Sequence, residues 1–135
     1  MRRTLLAAIC GLVLASPLAV AGPVAAAEPL GVATARDQVL RPGCHAYPFK
    51  YQVNPPAYTT TWLSEITVIG PSGRKVAAAA FLSGADPTSG KSAFKMCRTS
   101  IVPGTYTIKT KLTFIDIYDV QMATGKSTKF RLTRR

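Results

Sequence analysis

Histidine occurs once in this chain, at position 45, acidic side chains six times and cysteine three times. One histidine leaves almost no room for a Ser-His-Asp or Cys-His site, because a nucleophile needs a base beside it. His45 adjoins a cysteine and reads more simply as a histidine on a strand surface. Paired-carboxylate chemistry needs two acids on converging walls, and the six acids are scattered. Only Asp116 and Asp119 lie close together, near a hairpin, where Asp commonly satisfies local main-chain donors. Calcium is the remoter reading of that pair. There is no C-x-x-C to complete a zinc site, and no EF-hand spacing or phosphate-cradling glycine loop. After residue 27 no apolar segment has helical period. The expectation is a protein that is not an enzyme and carries no cofactor and no metal.

What the N-terminus does have is the three-part anatomy of an export signal. Arg2 and Arg3 form a short positive region, Thr4 to Val20 is uncharged and largely apolar, and Ala25-Ala26-Ala27 offers a small-residue cleavage site before Glu28. Pro17 and Pro23 interrupt the segment and no positive flank follows, which weighs against a transmembrane anchor. The paired arginines hint at twin-arginine export, but the usual preceding Ser or Thr is missing, so the general route is favoured. Cys10 lies too early, behind Ile9, to be a lipid anchor. The expected product is secreted, without residues 1–27.

Removing those 27 residues leaves 108, the size of one small domain. Two cations and no acid go with them, so fifteen Lys and Arg face six acids, a net charge of +9. Such a charge favours solubility and anionic partners and says nothing about fold. Cys44 and Cys97 remain, and an even pair in an exported chain is most simply a disulfide, with two free thiols as the alternative.

The rest of the chain alternates apolar and polar residues between Pro, Gly, Asn and Asp clusters, the all-β signature. Residues 28–32 read as a loose lead-in to a domain over 33–135. A first strand is expected near Ala33–Leu40 and a second over Cys44–Val53, with Tyr47, Phe49, Tyr51 and Val53 inward. Pro48 has no N–H and asks for an edge or a bulge. A third strand, Trp62–Ile69, turns Trp62, Ser64, Ile66 and Val68 inward, since Glu65 falls on the other face. Lys75–Leu82 is a weaker, alanine-rich strand, and Ser83–Gly90 a loop. Lys91–Cys97 follows, with Phe94 and Met96 inward. Tyr106 to about Tyr118 buries Tyr106, Ile108, Leu112 and Phe114, and Ser127–Thr133 buries Phe130 and Leu132.

Seven short strands at even spacing read as an antiparallel β-sandwich. Pro103-Gly104-Thr105-Tyr106-Thr107-Ile108 resembles the entry into the penultimate strand of immunoglobulin-like and fibronectin-III-like bacterial secreted domains, and a Trp on the third strand fits. The resemblance implies an immunoglobulin-like sandwich. One departure matters: Cys97 precedes Tyr106, whereas in antibody domains the second cysteine follows that tyrosine, so the disulfide is not the usual inter-sheet one. Cys44 and Cys97 both fall on the outward parity of their strands. In the topology that the resemblance implies, those strands are antiparallel neighbours. An outer-face staple at one end of a sheet is therefore expected.

The leading site is a basic face. Lys109 and Lys111 project outward from one strand, and Lys129 and Arg131 from the next, roughly opposite. Arg134 and Arg135 extend the set. Like charges across a strand pair destabilise a sheet, so four on one small face make it the candidate surface for an anion: an anionic cell-surface or extracellular polymer first, with lipid headgroups or nucleic acid as other anions that would neutralise it. A merely solvated face, with Glu65 as counter-charge, is the reading the charges by themselves favour over a binding face, and lysine rows also guard sheet edges. No outward aromatic interleaves the cations, which argues against specific nucleic-acid recognition. Tyr58 and Trp62 border the Asn54–Thr61 loop and could offer rings to a sugar, although Trp62 fits a core position better. The expected function is a secreted, non-enzymatic binding or structural module. The alternative is a secreted inhibitor of a protease-type enzyme, presenting the rigid Asn54–Thr61 loop.

Overall fold

A computed structural model describes residues 28–135, and the expected export signal at 1–27 lies outside them. Nine strands follow one another: β1 (Gly31–Thr34), β2 (Gln38–Val39), β3 (Cys44–Val53), β4 (Thr61–Ile69), β5 (Lys75–Leu82), β6 (Ser89–Cys97), β7 (Gly104–Ile115), β8 (Val120–Thr124) and β9 (Thr128–Thr133). They form two sheets. The smaller has the order β1-β3-β6, and the larger β2-β9-β7-β4-β5, with β8 also on β7. All pairings within the sheets are antiparallel except β2 with β9.

Period-two alternation positions the core. Tyr47, Phe49, Tyr51 and Val53 are buried on β3, and the residues between them are exposed. Trp62, Ser64, Ile66 and Val68 are buried on β4, Phe94 and Met96 on β6, and Phe130 and Leu132 on β9. On β7 the buried set is Tyr106, Ile108, Thr110, Leu112 and Phe114. Both sheets contribute to one buried cluster. Phe49 stacks on Phe94 within the smaller sheet at a centroid distance of 3.9 Å, and Tyr51 stacks on Phe81 of the larger sheet at 3.8 Å. Each such ring removed from water contributes on the order of 1.5–3 kcal/mol. The alanines of β5 explain why a single phenylalanine can reach across: Ala77 and Ala79 fill little of the interior, and Phe81 takes what they leave.

Several boundaries differ from the sequence reading. The strand expected over Ala33–Leu40 is two strands in two sheets, because the chain crosses from β1 to β2 at residues 35–37. The Asp37 carboxylate secures that crossing by accepting the Arg131 N–H at 2.7 Å. The lead-in is shorter than expected, since β1 starts at Gly31, which is buried. β6 takes Ser89 and Gly90 from the expected loop, and β7 stops at Ile115 rather than near Tyr118. β8 was not foreseen. The count is therefore nine strands, not seven. Pro48 sits where β3 is paired on one side only: β6 flanks it there, while β1 reaches no further than Lys50. Its carbonyl accepts the Gln38 amide instead, at 3.3 Å.

The Cys44–Cys97 disulfide is formed, and the two residues are direct partners in the β3–β6 register. It is the outer-face staple between neighbouring strands that the parity argument calls for, at the end of the smaller sheet.

Candidate cation-rich surface

All six cations of the expected basic face are exposed. Lys109 and Lys111 lie on the outward parity of β7, and Lys129 and Arg131 on that of β9. The register corrects their placement. Lys129 faces Thr107 and Arg131 faces Thr105, so the β9 cations are displaced along the strand from the β7 cations instead of lying opposite them. Threonines between them spare the sheet the full repulsion of a directly opposed pair. On the other flank of β7, Lys109 faces Thr67, and Lys111 faces Glu65 with a side-chain separation of 3.5 Å. That is the one ion pair among the described residues. Both groups are about half exposed, so the pair contributes a few tenths of a kcal/mol at most, by the usual range of about 0.2–1 for surface pairs.

Arg134 and Arg135 diverge. Arg134 stays beside Arg131, around Pro103 and Gly104. Arg135 turns into a cleft of about 770 Å3 between β2 and the start of β3, lined also by Arg41, His45 and Tyr47. The cleft exists because β3 has no partner along this edge. A neighbouring cleft of about 550 Å3 contains Arg36, Lys50 and Lys91, with Asp37 as its one acid. Gln38 and Pro48 line both clefts, so the two run together along the seam between the sheets.

Lys50 and Lys91 are direct cross-strand partners. The sequence reading did not pick them out, nor Arg36 and Arg41. A signal was available. Once Cys44 is paired with Cys97 in an antiparallel ladder, stepping six residues along each strand brings Lys50 opposite Lys91.

The remaining expected site residues have local roles. His45 Nε2 is hydrogen-bonded to the Pro42 carbonyl at 2.5 Å. Asp116 Oδ1 accepts the N–H groups of Tyr118 and Asp119, both at 2.7 Å, and Asp119 Oδ1 accepts that of Val120 at 2.7 Å. Both carboxylates thus hold a turn together. Among the described residues no three His, Cys, Asp or Glu side chains gather as metal ligands would, and no helix is long and apolar enough to cross a membrane. Trp62 is buried and Tyr58 exposed, so the two rings form no shared platform. The loop before β4 is fastened at both ends. Asn54 donates to the Leu30 and Pro29 carbonyls, and Thr60 donates twice to the Ile115 carbonyl.

Comparison of the chain with protein-family models, with curated proteins and with solved structures gives no match.

Proposed function

We propose that this protein is an exported, non-enzymatic binding module that engages anionic cell-surface or extracellular polymers through its cations. The observation that carries the reading is the excess of unneutralised charge. Among the described residues fifteen cations share one ion pair, Lys111–Glu65, and Lys50 stands directly opposite Lys91. Such a pairing weakens a sheet and is relieved by an anion. The outer face of β7 and β9 and the seam holding Arg36, Arg41, Lys50 and Lys91 give a polymer two tracks. Export is supported by the leader-like residues 1–27 and by a disulfide, which persists in oxidising compartments.

An immunoglobulin-like architecture is the finer reading of the fold. The orders β1-β3-β6 and β9-β7-β4-β5 support it, as does Trp62 buried on β4. So does Tyr106, whose hydroxyl bonds back to the main chain of Val102 at the entry to β7, in the manner of a tyrosine corner. The second functional reading, an enzyme inhibitor, draws on the loop from Asn54 to Thr61, whose fastened ends would present Tyr58 with little loss of entropy.

The test is retention on immobilised heparin and on isolated cell wall across a salt gradient. Retention is expected to fall steeply with salt. A variant with Lys109, Lys111, Lys129 and Arg131 changed to Gln should elute earlier. Retention insensitive to both salt and these changes would reject the proposal, and inhibition lost on Tyr58→Ala with the cations intact would favour the loop.

A further inference from the structure

The outward face of the larger sheet is divided along its length. One half carries Lys109, Lys111, Lys129 and Arg131. In the other half the register aligns a row of Leu82, Leu63, Thr113 and Met122 across β5, β4, β7 and β8, and next to it a row of Thr61, Ile115 and Val120. Beyond these rows the β7–β8 hairpin ends in Ile117 and Tyr118. These residues are strongly exposed for their type: Ile117 to 72%, Tyr118 to 89% and Met122 to 68%, with Leu82, Ile115 and Val120 also open. Scattered exposed apolar residues need no explanation, but a contiguous corner of them marks a contact surface. β8 is the unusual element. It turns Val120 and Met122 outward and Gln121 toward the interior, against what folding alone would select, and only the small Ala123 packs on the core.

We infer that this corner is a lipid-contact site, in which the Ile117–Tyr118 hairpin tip enters the headgroup boundary of an anionic bilayer. Val120 and Met122 follow the tip, and Lys109, Lys111, Lys129 and Arg131 settle on the headgroups. The inference rests on the reading of the cationic face as an anion-binding surface, and adds the apolar half to it. Two observations select lipid as the occupant. Cations lie on the same face of the same sheet as the apolar corner, the combination that holds a protein in an anionic membrane interface. A second copy of residues 28–135 would bring another net charge of +9 against the first. Tyrosine suits the headgroup level, with an apolar ring and a polar tip. The acids at the tip are turned away from this role: Asp116 and Asp119 direct carboxylate oxygens at the main-chain N–H groups of the turn. Glu65 is paired with Lys111.

The experiment uses the exported product, residues 28–135, with Tyr118→Trp as a reporter at the tip. The native Trp62 is buried and supplies a constant background. Vesicles of phosphatidylglycerol and phosphatidylcholine should shift the reporter emission to the blue and protect it from aqueous quencher, and phosphatidylcholine alone should do so weakly. Adding Ile117→Ser and Met122→Ser should raise the lipid concentration needed by about tenfold or more, since binding scales with the apolar area inserted. Retention on heparin should be unchanged by those two substitutions. Heparin retention with no shift, or a shift that survives the two serines, overturns the lipid site and leaves the cationic reading standing. Loss of both overturns the two together. A dimer found by sedimentation without vesicles, and abolished by the same serines, assigns the corner to a second copy and also overturns it.

Discussion

Tyr106 turns its hydroxyl back onto Val102, accepting that residue's N–H at 3.1 Å and donating to its carbonyl. The ring is wholly buried and packs on Phe130 at a centroid distance of 5.4 Å, so the hydroxyl ties the entry of β7 to the core. Tyr106→Phe keeps the packing and leaves two main-chain groups without a partner. A loss of about 1–3 kcal/mol is expected, read from the shift of a denaturant midpoint. The same residue sets an alkaline limit. Burial pushes its phenol above the ordinary value. The hydrogen bond with the Val102 main chain and Arg98 oppose that rise, and Tyr47 adds to it. Burial and then Asp86 raise Tyr51 as well. At high pH the unfolded chain therefore releases protons that the folded chain still holds. This contribution is complete below about pH 10 and is lost as pH climbs through the raised folded values. Unfolding measured from pH 8 to pH 11 should show a falling alkaline limb, shallower in Tyr106→Phe.

The Cys44–Cys97 bond closes a loop with a sequence separation of 53. The chain-entropy model assigns such a loop about 4 kcal/mol. Cys44 is exposed, so a reductant reaches the bond without prior unfolding. Reduction should lower the denaturant midpoint substantially, while the nine strands and the buried cluster persist in dilute buffer. Equal midpoints with and without reductant would show that the staple contributes nothing.

Alternation made much of this legible. β3, β4, β7 and β9 each bury one parity and expose the other, so a period of two was enough to name their inward residues and, from these, the outward cysteines and cations. β8 escaped because it is only five residues long, too short for its alternation to stand out, and that alternation would have pointed Val120 and Met122 inward, the wrong face. The split between β1 and β2 escaped for another reason. Residues 34–38 contain no Gly or Pro to mark a break, and the change of sheet is made by Asp37 accepting the Arg131 N–H, from a partner 94 positions away. Of the candidate site, the parity of each cation was readable, but neighbours across strands were not. Register depends on pairing, and only the disulfide supplied a pairing in advance, enough to place Lys50 against Lys91 but not Lys129 against Thr107.

That opposition separates stability from binding. Lys91→Glu replaces a like-charge cross-strand pair with an opposite-charge one at the same register position. Thermal unfolding should rise, by a gain of roughly 0.2–1 kcal/mol for a favourable pair plus the relief of repulsion. Salt should diminish the gain, since both groups are exposed. Retention on heparin should fall in the same variant if the Arg36–Lys50–Lys91 cleft receives anions. A variant that is more stable and equally retained would place binding on the β7–β9 face alone.

The link between the sheets at β1 depends on a close approach. Gly125 N donates to the Thr110 carbonyl and Lys126 N to the Gly31 carbonyl, each at 2.8 Å, and the Thr128 hydroxyl donates to the Ala33 carbonyl. The segment between β8 and β9, together with the first residue of β9, thereby fastens the outer strand of the smaller sheet to the larger one. A Cβ on Gly125 would collide with the Gly31 carbonyl oxygen and lie 3.0 Å from Thr110 Cβ. Main-chain atoms on one side and a buried threonine on the other cannot both yield, so Gly125→Ala should cost about 1–3 kcal/mol, the range for overpacking. The damage should also be local at first. Hydrogen exchange at Lys126 and at Asn54, whose N–H bonds to Leu30 just before β1, should quicken before the β3–β6 ladder does. Equal acceleration throughout would mean that β1 is not a latch but an inseparable part of a single cooperative unit.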